Sequence, residues 1–188
     1  RTSCMKNSDS RVWYPFTQMS ETRGEPPLRM VRGRGNYLFD GRGKKYFDGV
    51  SSLWCNLHGH GVPEITSAIR RQAARLAHST LLGLTHPGAE RLADRLVSIA
   101  PRGLTRVFYS DDGATAIEVA LKMAYQFWRH RGEPQRTRFV SFRLGYHGDT
   151  LGAVSVGGVD LFHATFRPLL FKGIKVDPPY CYRCPLKL

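Results

Sequence analysis

Residues 109–128 read YSDDGATAIEVALKMAYQFW, which is the pattern of a strand end, a tight turn and a long helix. The run RVFYS at 106–110 is rich in β-branched and aromatic residues and is expected to be a strand. Asp111, Asp112 and Gly113 break it. From Gly113 onward Ile117, Ala120, Leu121, Ala124 and Trp128 recur at helical spacing, with Glu118, Lys122, Gln126 and Arg129 on the other side. Glu118 precedes Lys122 by one turn, the favourable order for a surface ion pair on a helix. A glycine at such a turn leaves the first helical N–H groups open, and the helix terminus adds roughly half a positive charge. The stretch therefore has the makings of a phosphate cradle. An ordinary strand–helix unit with Asp112 as N-cap satisfies the same pattern.

Outward from this unit, strands and helices alternate. RFVSF at 138–142 is a second expected strand, running into the loop RLGYHGDT at 143–150 and a small-residue helix over 151–157. Upstream, 64–78 and 87–100 carry helical periodicity, and 79–86 (STLLGLTH) is an apolar loop or short strand. Strand and helix in this order argue for an α/β fold with a parallel sheet. Residues 28–50 differ, being short β-forming runs separated by Gly33, Gly35, Asp40-Gly41 and Asp48-Gly49. They read as a small β-meander with a hairpin turn near 40–43. Ahead of it, WYPFTQM at 13–19 sets three aromatics around Pro15, and behind it SSLWCNLHGHGVPE at 51–64 reads as a loop. Residues 132–134 form a linker, and the tail from 171 holds Pro178, Pro179 and Pro185.

Composition narrows the function classes. With 41% hydrophobic and 23% charged residues, the 188-residue chain is globular rather than disordered. Its net charge of +13 would suit a polyanionic partner. The basic residues are spread from Arg1 to Lys187 without a block, however, so nucleic acid is not the expected ligand. No window of 18 apolar residues offers a membrane span, and RTSCMKNSDSR at 1–11 lacks the apolar core of a secretory signal. Four cysteines are too few for a disulfide scaffold, which makes the cytoplasm the expected compartment. The first residue is Arg1, so either Met5 is a start or the chain is a piece of a longer one.

In a parallel sheet, ligands bind beyond the carboxyl ends of strands. Two such ends are suggestive here: residues 110–115, able to take a phosphate, and Gly145-Tyr146-His147-Gly148, which sets a ring and an imidazole between glycines. Together they suit a phosphorylated aromatic cofactor. Each also has a plain structural reading, as a capped helix and a packed loop. A GxxxxGK[ST] loop is absent, GRGNYLFDG does not open a helix, and there is no GxSxG. CYRC at 181–184 has zinc-ligand spacing, with His58 and His60 as conceivable partners, but no second pair completes four ligands, so no metal is expected.

With these residues in hand, the chain resembles the N-terminal part of class III, fold-type I pyridoxal-phosphate aminotransferases, and within them the branch that aminates 8-amino-7-oxononanoate in biotin synthesis. Five segments carry the resemblance in family order: WYPFTQM, YFDGVSSLWCNLHGHGVPEI, AHSTLLGLTHPG, VFYSDDGATAIEVALKMAYQFW and GYHGDTLGAVSVG. It implies a small-domain portion over 1–56 and the first part of the cofactor-binding large domain over 57–188. It implies pyridoxal 5′-phosphate as cofactor, with Gly113 and Ala114 at the phosphate, Tyr146 beside the ring, and His147 and Gly148 shaping the same wall. Phe16, Leu53, Trp54 and Tyr146 correspond to substrate-pocket residues. A homodimer acting on small keto and amino substrates is implied, as is transfer to 7,8-diaminononanoate from S-adenosylmethionine or lysine.

The departures are specific. Leu53 and Phe16 stand where many relatives using S-adenosylmethionine carry tryptophan and tyrosine. Asp112 stands where a small hydroxyl residue is usual, and its carboxylate would repel a phosphate unless turned to cap the helix. The family's Schiff-base lysine has no counterpart before Leu188, so the chain by itself is expected to be inactive. The competing readings are another class III aminotransferase, acting on an omega-amino acid or diamine, and an inactive relic serving as a basic binding module.

Overall fold

The hairpin at 40–43 forms because Asp40 satisfies the turn with its own side chain. Its Oδ1 accepts the amides of Arg42 and Lys44, each at 2.9 Å, and its Oδ2 accepts the Tyr46 hydroxyl at 3.1 Å. Partial desolvation pushes this carboxyl up, but the two amides, the hydroxyl and the nearby Arg42 charge outweigh it and hold it below its ordinary value. The turn joins β2 (Tyr37–Asp40) to β3 (Lys45–Phe47), and β1 (Met30–Arg34) pairs with β2 on its other side, all antiparallel. Arg32 lies 3.8 Å over the Phe39 ring and Lys45 lies 3.6 Å over Tyr37. Part of the chain's basic excess is thus spent as lids on aromatic rings.

The computed structural model describes residues 11–23, 26–159, 161 and 164–184, and the expectations placed on residues 1–10 and on Pro185 lie outside these. The chain divides into two compact units, residues 1–87 and 88–188. The division expected at 56/57 falls inside the first unit, which holds the three-stranded sheet, α1 (Ser51–Trp54) and α2 (Pro63–Arg75). The loop expected at 51–64 begins with that single turn, and it returns to the sheet where Gly35 and His60 exchange backbone hydrogen bonds of 3.0 and 2.8 Å. Pro63 opens α2 at a position where its missing N–H costs nothing.

The second unit is built on α4 (Gly113–His130), with β4 (Val140–Phe142) parallel to β5 (Ile174–Val176) and α5 (Leu151–Val156) between them in sequence; α3 (Pro87–Ile99) precedes these elements. Its buried centre is α5, where Ala153, Val154, Ser155 and Val156 are almost fully covered. Lys175 on β5 pins the end of α5. Its Nζ donates to Ser141 Oγ at 2.9 Å, to the Ser155 carbonyl at 3.1 Å and to the Gly157 carbonyl. Burial draws this lysine below its ordinary pKa.

One expected strand is absent. Residues 106–110 form no ladder, and Phe108 stays 64% exposed. A β-rich run becomes a strand only when another strand offers hydrogen-bond partners, and none does among the described residues. Residues 79–86 likewise form a loop. Apolar side chains on α4 and β4 stay exposed, among them Phe127, Val140 and Phe142.

Candidate functional site

The start of α4 is a reciprocal cap. Asp112 Oδ1 accepts the Thr115 amide at 2.8 Å, and the Asp112 amide donates to Thr115 Oγ1 at 3.1 Å. Asp112 therefore adopts the capping pose expected of it. Its backbone carbonyl takes the Ala116 amide at 3.0 Å. This leaves the amides of Gly113 and Ala114 with no acceptor among the described residues. They are the two positions singled out in the sequence for an anion.

Gly113, Ala114, Tyr146, His147 and Gly148 line one open cleft of about 810 Å³, together with Asp112, Ile117, Asp149 and Thr150. Gly148 makes the wall possible. Its φ is +111°, and a Cβ there would sit 2.4 Å from the Ala114 Cβ, so only glycine lets the loop touch the helix start. Tyr146 is 51% exposed, and its hydroxyl donates to Asp149 Oδ2 at 2.8 Å. That hydrogen bond first, then desolvation and the Asp149 charge, raises the phenol above its ordinary pKa. Among the described residues the lining contains no lysine or arginine. An anion here would be held by backbone dipoles, with both flanking carboxylates already engaged, Asp112 by Thr115 and Asp149 by Tyr146.

Phe16, Leu53 and Trp54 belong to the first unit. They are 92%, 69% and 77% exposed, so none is spent on packing. All three have left-handed backbone, with φ of 50°, 61° and 70°. Among the described residues the non-glycine positions with positive φ are Phe16, Ser51, Ser52, Leu53, Trp54 and Leu144. These fall in the WYPFTQM, SSLW and RLGYHGDT segments. Left-handed backbone costs a non-glycine residue about 1–2 kcal/mol, and such strain gathers at functional sites.

Sequence reasoning missed the supports of these segments. Asp48 holds the turn of α1, with Oδ1 accepting the Ser52 amide and Oδ2 accepting the Ser52 hydroxyl, both at 2.8 Å. Glu118, in the favourable order for an ion pair with Lys122, makes no ion pair among the described residues and turns to the amides of Gly152 and Ala153 instead. A surface pair is worth only a few tenths of a kcal/mol, and two open amides at a helix start outbid it. The available signal was a glutamate in the first turns of a helix that faces the small-residue stretch at 151–157. Among the described residues no group of three or more His, Cys, Asp or Glu side chains is placed to hold a metal ion. No helix among them is long and apolar enough to cross a membrane.

Comparison with known proteins gives four findings. The model of the family described as "Aminotransferase class-III" matches residues 19–187. An adenosylmethionine-8-amino-7-oxononanoate aminotransferase of Geobacter sulfurreducens is 56% identical over 186 residues, covering 98% of this chain and 41% of the relative. Among solved structures, the enzyme of that name from Methanocaldococcus jannaschii superposes with a TM-score of 0.85 at 55% identity, covering 90% of this chain and 39% of that one. An amine transaminase from an uncultivated Pseudomonas species, solved in its PLP-bound form, gives 0.82 at 38% identity, covering 97% and 41%. The chain thus spans about two fifths of the length of these relatives.

Proposed function

The chain belongs to the class-III aminotransferases, and from that premise we propose that its cleft receives pyridoxal 5′-phosphate in an enzyme converting 8-amino-7-oxononanoate to 7,8-diaminononanoate. The observation that carries the cofactor reading is the pair of α4 amides, Gly113 and Ala114, without an acceptor among the described residues. The residues present fit the group. No atom within 4 Å would meet a Cβ on Gly113, so the approach to the amides is open. The wall opposite is an exposed tyrosine ring and an imidazole, suited to a flat pyridine.

When bound, the cofactor supplies the electron sink and carries the amino group between the two substrates. The chain's own tasks are binding and orientation. Gly113 and Ala114 hold the phosphate, Tyr146 and His147 face the ring, and Gly148 brings that wall against the helix start. Phe16, Leu53 and Trp54 are the residues we assign to the oxononanoate. Their exposure and strained backbone support an assignment outside the packed core. The stretch 57–188 is read as the first part of the cofactor-binding domain and 1–56 as the small-domain portion.

The exposed apolar side chains of α4 and β4 support a reading in which this face packs against further protein in the whole enzyme. We read the whole enzyme as a cytoplasmic homodimer. The relatives' names favour S-adenosylmethionine as donor, while SSLW and PFTQM keep lysine in play.

The test is a chimaera in which residues 1–188 replace the matching segment of the Geobacter relative. Diaminononanoate should form from 8-amino-7-oxononanoate with one of the two donors supplied. A chimaera that binds the cofactor and aminates other ketones, but not this one, would overturn the substrate assignment.

A further inference from the structure

The cleft has two walls on different elements: the start of α4, carrying Gly113 and Ala114, and the loop between β4 and α5, carrying Tyr146 to Gly148. At its β4 end this loop is tied by the Gly158 amide to the Gly145 carbonyl at 2.8 Å and by the Leu144 amide to the Gly158 carbonyl at 3.2 Å. At its α5 end it meets Glu118. That carboxylate accepts the Gly152 amide at 2.7 Å and the Ala153 amide at 3.3 Å. It occupies the space a side chain at 152 would need, since a Cβ there would lie 2.3 Å from Glu118 Oε2.

We infer that Glu118 is a positioning residue for the cofactor: it clamps the loop bearing Tyr146 and His147 to the helix bearing the phosphate amides. This rests on the cofactor reading above. The geometry explains why the acid faces α5 rather than Lys122. The first amides of a short helix lack partners, and an ionised carboxylate accepts from them more strongly than a neutral group does. The Thr150 hydroxyl, buried beside the acid, is the largest influence lowering the Glu118 pKa, although Thr150 Oγ1 meets no partner at full hydrogen-bond geometry. The two amides add to the effect, desolvation opposes it, and Lys122 contributes from a distance. Glu118 does not line the cleft. It acts through the loop.

Loss of the clamp should free the ring wall and leave the phosphate amides in place. The two effects separate with two probes on the 188-residue chain: pyridoxamine 5′-phosphate, which has no aldehyde and uses both walls, and inorganic phosphate, which needs only the amides. For Glu118→Ala, pyridoxamine-phosphate affinity should fall at least tenfold while phosphate affinity changes less than threefold. Glu118→Gln, which keeps an acceptor oxygen, should recover most of the loss. Equal losses for both probes, or no loss for either, would overturn the clamp. Hydrogen exchange read without any probe makes the test independent of the cofactor reading. The amides of Gly152 and Ala153, at the start of α5, should exchange at least tenfold faster in Glu118→Ala, with the amides of α4 unchanged, and unchanged exchange at these two amides would also overturn the clamp. If neither the parent chain nor the chimaera described above binds either probe, the cofactor reading fails, while exchange still decides whether the clamp exists.

Discussion

Asp48 Oδ2 lies 2.7 Å from His60 Nε2, and the same carboxylate holds the left-handed turn that carries Leu53 and Trp54. The Ser52 amide, then the His60 and Ser52 side-chain hydrogen bonds, keep Asp48 below its ordinary pKa against a smaller desolvation effect. His60 is in turn fixed by its backbone pairing with Gly35 on the meander. The turn is therefore fastened to the sheet through one aspartate.

Replacing that aspartate should release the strain. In Asp48→Ala, residues 51–54 should leave the left-handed region, and the Ser52 amide should exchange at least tenfold faster. In the chimaera described above, KM for the oxononanoate should rise several-fold with kcat less affected, because the turn is assigned to binding. Asp48→Asn, which keeps an acceptor for the Ser52 amide, should fall between the two. A turn that keeps its exchange protection in Asp48→Ala would show that the backbone holds itself.

Gly148→Ala tests the contact between the two walls. The added methyl would meet Ala114 at 2.4 Å on a backbone of φ +111°. Left-handed strain and overpacking each cost about 1–3 kcal/mol. Binding of pyridoxamine 5′-phosphate should be lost in this variant, while the far-ultraviolet circular dichroism of α4 persists. Retention of full affinity would mean that the loop does not need to touch the helix.

Asp112 separates capping from anion binding. Serine caps about as well as aspartate, whereas alanine costs typically about 1 kcal/mol. Asp112→Ser should keep thermal stability and bind the cofactor equally well or better, having lost a negative charge beside the phosphate. Asp112→Ala should melt lower. A large drop in affinity for Asp112→Ser would mean that the carboxylate itself contributes to the site.

Acid should undo the clamp. Glu118 is held below its ordinary value in the folded chain, so the folded state binds fewer protons than the unfolded one as the group titrates. Its stabilising contribution is complete above the unfolded value, about 4.3, and is lost as pH falls through the lower folded value. The difference in urea midpoint between the parent chain and Glu118→Gln should be constant from pH 7 to pH 5 and shrink below pH 4. A difference independent of pH would mean that the charge plays no part.

The helices, the meander and the α4 turn were legible because their signals are local: helical spacing from Gly113, an Asp-Gly hairpin, prolines at the starts of α2 and α3. The strand expected at 106–110 was not, because a ladder needs partners that spacing does not reveal. The reading of Glu118 went wrong for a related reason. Its i+4 lysine is visible in the sequence, whereas the amides of Gly152 and Ala153 are 34 and 35 residues away. The left-handed turn at 51–54 had no signature either, since serine, leucine and tryptophan do not favour that backbone, and the Asp48 carboxylate that caps Ser52 is recognisable as its support only in the structure.

The Gly113 and Ala114 amides are the phosphate site assigned above. The direct measurement is an amide nitrogen–proton spectrum of the chain titrated with pyridoxamine 5′-phosphate. The Gly113 and Ala114 amide protons should show the largest downfield shifts, saturating together with the changes at Tyr146 and His147. Saturable binding that leaves Gly113 and Ala114 unmoved, with shifts confined to surface lysines and arginines, would contradict the account.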